Sequence, residues 1–100
     1  TITPAPNPSR PMHPAYALAD PADVFTPALV LYPELIRANI VRVVELAGGP
    51  GRLRPHVKTH KTREIARMLL DAGITKHKCA TIAEAEMLAA AGAPDVLVAY

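Results

Sequence analysis

Tryptophan is absent, phenylalanine occurs once, and aromatic residues make up only 4% of the 100 residues. A surface that stacks nucleobases would lack its material. The net charge of +2 is close to balance, so composition gives no argument for a nucleic-acid or an anionic-membrane partner. A single cysteine, Cys79, excludes an internal disulfide framework. No run approaches the roughly 18 consecutive apolar residues of a membrane span. The first residues lack the basic-then-apolar order of a signal peptide. By these absences, a cytoplasmic location is the expectation.

What is present is apolar material, half of all residues, and 11 prolines. Pro4, Pro6, Pro8, Pro11 and Pro14 crowd the start. Proline fixes φ and offers no backbone donor, so this stretch neither continues a helix nor enters a central strand. Residues 1–20 are therefore expected to be an extended, mobile tail, and residues 21–100 the folded part. Ala28-Leu29-Val30-Leu31-Tyr32 is a short apolar run between prolines and reads as a buried strand. Ile36, Ile40, Val43, Val44 and Ala47 recur at helical spacing, which predicts an amphipathic helix over 34–47, stopped by Gly48-Gly49-Pro50-Gly51. Arg52 to Thr59 reads as a second strand, pairing only after Pro55. Thr62 is placed to cap a helix carrying Ile65, Leu69 and Ala72, with Gly73 as its stop. His77 to Ala80 suits a short strand. Thr81-Ile82-Ala83-Glu84 has the pattern of a capping box opening a helix that ends at Gly92. Val96 to Ala99 is a last apolar strand. This alternation predicts an α/β arrangement of parallel strands and crossover helices.

The chemistry-bearing segment is Arg54-Pro55-His56-Val57-Lys58-Thr59-His60-Lys61-Thr62. On a strand, Arg54, His56, Lys58 and His60 would share one face. Lysine and arginine are rarely buried without partners, so an anionic ligand would supply the missing countercharge. Positive neighbours and partial burial both disfavour an ammonium at Lys58, and a neutral amine is what condenses with an aldehyde. Thr62 opens the next helix, whose free amides suit a phosphate. Two other readings stand beside this one. The first is a solvated basic strand on an exposed edge. The second is a zinc site from His56, His60, His77 and Cys79, although nothing here has the spacing of a paired-cysteine knuckle.

Arg54 to Lys61 resembles the cofactor-lysine motif of D-threonine aldolases and eukaryotic-type D-serine dehydratases, fold-type III enzymes with an alanine-racemase-like barrel. Phe25 to Leu31 with Asn39 resembles the first strand and helix of that family. Cys79 to Glu86 with Gly92 resembles its next strand-helix unit. The resemblance covers roughly residues 20–100. It implies that the chain is the N-terminal part of a TIM-type (β/α)8 barrel, a fragment of a longer barrel plus β-domain enzyme, since a whole barrel takes roughly 250 residues. In that fold the strand at Ala28–Leu31 tends to join the β domain. The resemblance puts pyridoxal 5'-phosphate on Lys58 as a Schiff base, and not on Lys61. His56 and Cys79 would lie on strands bordering the ring, with a small buried core residue the preferred reading of Cys79, and Thr62 stands where alanine racemases have a phosphate-contacting tyrosine. It also implies a divalent metal (Zn or Mn) in the full-length enzyme, with ligands outside this chain and none within it.

The activity this implies is that of a lyase on a small-molecule D-amino acid. D-threonine aldolase-like cleavage to glycine and an aldehyde is preferred. The alternatives are a D-serine dehydratase, giving pyruvate and ammonia, and a non-catalytic pyridoxal-phosphate-binding homeostasis protein. No nucleic-acid or membrane partner is expected, and the full-length enzyme is expected to be a homodimer. A partial barrel leaves strand edges unpaired, so the 100-residue piece alone should be insoluble or dimeric. Light scattering checks this, and a monodisperse monomer would contradict it.

Overall fold

The computed structural model describes residues 13–100. They fall into two compact units, one ending at Tyr32 and the other running from Pro33 to Tyr100. In the first, one-turn 3-10 helices form at Pro14–Tyr16 and Pro21–Asp23. The Tyr32 hydroxyl donates to the Tyr16 carbonyl at 2.6 Å, with the two rings edge to face. Of the tail expected over 1–20, residues 1–12 lie outside the described residues, and from Pro14 onward these turns interrupt it. The strand expected at Ala28–Leu31 is not formed. No described segment pairs with it, and a lone extended segment has no ladder to satisfy its backbone.

In the second unit, helix α1 spans Pro33–Ala47, α2 Arg63–Asp71 and α3 Ile82–Ala91, with strands β1 at Lys76–Cys79 and β2 at Asp95–Val98. Pro33 opens α1, where its missing N–H costs no helical bond. The buried stripe of α1 is Ile40, flanked by half-buried Ile36 and Val44. Val43, expected on that stripe, is exposed. A repeat of four residues keeps 36, 40 and 44 nearly in line, whereas 43 falls toward the next face. The stops at Gly73 and Gly92 are Schellman ends. Both glycines have positive φ, and the next residue's amide reaches back to a carbonyl five residues earlier, Ile74 to Leu69 and Ala93 to Leu88, each at 3.0 Å. A Cβ on Gly73 would also meet the Pro50 ring at 3.2 Å.

β1 and β2 pair in parallel, Lys76 with Asp95 through Cys79 with Val98. On the other edge of β1, His56 makes a parallel bridge to Lys78, and the Lys78 amide donates to the Pro55 carbonyl at 2.9 Å. Successive segments thus lie side by side in chain order with helices between them, the α/β pattern the alternation implied. Along β1, His77 and Cys79 are buried and Lys76 and Lys78 are not, so one face of the sheet is covered. There Val57, Ala66, Cys79, Leu88 and Ala91 form one core cluster, while Ile40, Ile65, Leu69 and Ile74 join α1 to α2 in a second. By the same register, His56, Lys78 and Leu97 form a row on the opposite, uncovered face. Among the described residues no helix is long and apolar enough to cross a membrane.

Leu88 has no exposed surface and touches the core from α3. Leu88→Ala in the full-length protein is expected to lower unfolding free energy by about 2–5 kcal/mol, read from denaturant titration.

Candidate functional site

The expected strand over 52–59 shrinks to a single bridge at His56. Local bonds replace the ladder on both sides. The Leu53 amide donates to the Pro50 carbonyl within a 3-10 turn at Pro50–Arg52, and Pro55 has no amide to give. Beyond His56 the chain winds into a 3-10 turn at Val57–Thr59. The His56 ring accepts the Lys58 amide at Nδ1, 3.1 Å away. The Val57 carbonyl accepts from the amides of His60 and Lys61, at 3.2 and 2.8 Å. Val57 is 1% exposed and points into the core. Lys58 and Thr59 point away from it and are exposed. This corrects the expected placement of Lys58: it stands on a turn just past the bridge, facing outward, rather than inward on the strand itself.

The cationic residues of the motif do not share one face with one fate. Arg54 already has its countercharge. Its guanidinium grips Asp95 in a fork, at 2.7 and 3.1 Å, and also donates to the His77 carbonyl at 3.0 Å. The bonds from Arg54 hold the Asp95 carboxyl below the usual carboxylate range. Arg54 thus ties the segment leading to Lys58 to the starts of β1 and β2, and needs no ligand. His60 is half-buried; its burial, and then the nearby His77, push its pKa down. The Thr62 amide donates to His60 Nδ1 at 3.1 Å, which puts the ring proton on Nε2. His77 is buried and its Nε2 bonds the Ile74 carbonyl at 2.9 Å. Among the described residues, Lys58 has neither an ion pair nor a side-chain hydrogen bond.

Thr62 does precede α2, but its side chain makes no cap bond. Its hydroxyl lies 3.3 Å from His60 Nδ1, so both its amide and its hydroxyl face that ring. The capping box at Thr81 forms in a modified way. Thr81 Oγ1 accepts the Glu84 amide at 3.1 Å, while Glu84 Oε1 accepts the amide of Ala80, at 3.0 Å, rather than that of Thr81. The bond from Ala80 holds the Glu84 carboxyl below its ordinary range, against the opposing effect of burial. Glu84 Oε2 is 3.9 Å from Lys61 Nζ.

Cys79 is a buried core residue beside Val57 and Leu88, not a neighbour of the uncovered face. His77 shares its side of β1, whereas His56 lies on the other. The four zinc candidates therefore do not converge, and among the described residues no group of three or more His, Cys, Asp or Glu could hold a metal ion. Sequence reasoning missed Asp95 altogether. Its partner Arg54 lies 41 residues away, beyond any local pattern.

The Arg54–Asp95 pair carries a pH signature. A carboxyl whose folded pKa is depressed adds stability above its unfolded pKa, about 3.9 for aspartate, and that stability is lost as pH falls through the folded value. Asp95→Asn should therefore lower the thermal midpoint of the full-length protein at neutral pH. The gap to the parent should close as the pH is taken below about 4, which thermal melts across the acid range would show.

Comparison with known proteins agrees with this architecture. The model of the alanine racemase N-terminal domain matches residues 33–99. The chain is 40% identical over 75 residues to D-threo-3-hydroxyaspartate dehydratase of Delftia sp. (strain HT23), covering 74% of this chain and 20% of that protein. It thus spans about a fifth of the length of the curated relative it matches. No solved structure gives a significant match. The parallel α/β unit is a piece of that barrel domain, and the chain belongs to the alanine racemase N-terminal domain family.

Proposed function

We propose that the chain is the cofactor-bearing N-terminal part of a pyridoxal-phosphate-dependent lyase acting on D-β-hydroxy amino acids, with Lys58 carrying the cofactor. The observation behind this is the exposed Lys58 amine. It follows the bridge residue His56 on a turn anchored by buried Val57, while Arg54 on the same motif is already neutralised by Asp95.

The residues present fit the group. A lysine with no ionic partner among the described residues is free to condense with an aldehyde. The ends of strands in α/β units are where ligands and reacting groups gather. His56 belongs to the uncovered row with Lys78. Its Nδ1 accepts the Lys58 amide, so its Nε2 carries the proton and is available as a donor. The first turn of α2 favours an anion, with Thr62 as the proposed hydroxyl contact once it turns from His60. When bound, pyridoxal phosphate supplies an electron sink for charge developing at the substrate Cα. The protein's part is to hold Lys58 Nζ on a turn fixed by Val57 and to present His56 beside it. The divalent metal and the homodimer of the whole enzyme remain part of the proposal, with the metal's ligands outside this chain.

Loss of water from the substrate is the favoured reaction, because the matched relative is a dehydratase. Retro-aldol cleavage is the second reading, carried by the Arg54–Lys61 motif, which resembles that of D-threonine aldolases as much as that of D-serine dehydratases. Borohydride reduction of the full-length holoprotein followed by peptide mapping should give a pyridoxyl adduct on Lys58. An adduct on Lys61 would reject the assignment. Lys58→Ala should lower turnover by on the order of ten-thousandfold. Assays with D-threonine, D-serine and D-threo-3-hydroxyaspartate, scoring keto acid with ammonia against glycine with aldehyde, separate the two reactions.

A further inference from the structure

We propose that Glu84 is a positioning residue whose carboxylate pins the Lys58 turn, through Lys61, to the first turn of α3. The inference rests on Lys58 being the cofactor lysine.

Among the described residues, Glu84 is one of two buried polar ones, the other being His77. Its side chain is 7% exposed, against 64% for Lys61. A buried carboxylate needs partners for both oxygens. Oε1 takes the Ala80 amide, and Oε2 faces Lys61 Nζ. Ala80 belongs to the β1–α3 connection and Glu84 to the first turn of α3, while Lys61 follows the Lys58 turn, so this carboxylate joins the start of α3 to the neighbouring loop before α2. A surface ion pair of this length would ordinarily count for little. Here one partner is buried and fixed by two helix-start bonds, those of Thr81 and Ala80, so only the lysine must be ordered.

Lys61 also stands apart in its backbone. Its φ of 51° is the sole positive value at a non-glycine among the described residues. Side chains disfavour that conformation, so the surroundings must hold it. Its amide is held by the Val57 carbonyl at 2.8 Å, and its side chain is held by Glu84. Lys58, Thr59 and His60 lie between these fixed points. A cleft of about 240 Å³ lined by Lys61, Thr81, Ala83, Glu84 and Met87 adjoins the pair, leaving room for a released Lys61 side chain to move. Without Glu84's charge the turn keeps the Val57 anchor and loses the other.

The test uses the full-length holoprotein and three variants: Glu84→Gln, Lys61→Met and the double variant. Glutamine keeps an oxygen for the Ala80 amide and replaces the oxygen facing Lys61 with an uncharged NH2, so a role limited to the Ala80 bond would survive it. Hydrogen exchange by mass spectrometry should show about threefold faster exchange over residues 58–62 in each single variant, with residues 80–84 unchanged. Cofactor dissociation should rise by a similar factor. The double variant should be no worse than either single one, because both remove the same contact. Unchanged exchange over 58–62 in Glu84→Gln, effects confined to 80–84, or additive effects in the double variant would overturn the proposal. The borohydride adduct in the parent protein keeps the two readings apart. An adduct away from Lys58 rejects the functional reading, and the exchange data still decide whether Glu84 pins the turn.

Discussion

Val57 has almost no exposed surface and lies among Ala66, Cys79 and Leu88, where α2, β1 and α3 meet. That burial sets the orientation of everything around it. In the extended backbone at His56 the residue before an inward valine faces outward, so His56 joins the uncovered row with Lys78, and the 3-10 turn that follows leaves Lys58 exposed. The Val57 carbonyl then receives two amides from the following turn, which stops the strand and starts the bend toward α2. Burying one β-branched side chain is worth about 1.5–3 kcal/mol. Shifting the register by one residue would exchange that for a buried lysine.

The motif looks like a run of like charges, and tertiary contacts sort it. Arg54 closes on Asp95 and on a β1 carbonyl. Lys61 faces a buried glutamate. His60 is kept toward its neutral form by burial and by His77. Lys58 is left without a partner among the described residues. The turn that carries this exposed amine is anchored by the Val57 carbonyl, which accepts the amides of His60 and Lys61. The same sorting disposes of the zinc alternative, since alternation along β1 sends His77 and Cys79 into the core and leaves His56 on the far side.

Much of the fold was legible. The helix stops at Gly73 and Gly92 and the span of α1, to within one residue, follow from short-range rules: φ at glycine and apolar spacing. The capping box was legible in its residues but not in its bonding, because Glu84 reaches one residue further back, to Ala80. The strands were the weaker part. Ala28–Leu31 and Arg52–Thr59 have strand composition, yet a strand exists only where a partner offers its backbone. The first found none among the described residues, and the second found one for a single residue.

By itself, then, the sequence determined the local grammar and the identity of Lys58's neighbours: a valine before it, histidines two residues away on each side, a helix soon after. These depend on residues a few positions apart, and the chain carries that information directly. Tertiary structure alone decided which cations are neutralised and which way Lys58 faces. Asp95 meets Arg54 across 41 residues, and Glu84 meets Lys61 across a crossover helix and a strand. Such pairings arise only when parallel strands stack in register and bring their loops to the same end, a geometry with no short-range signal.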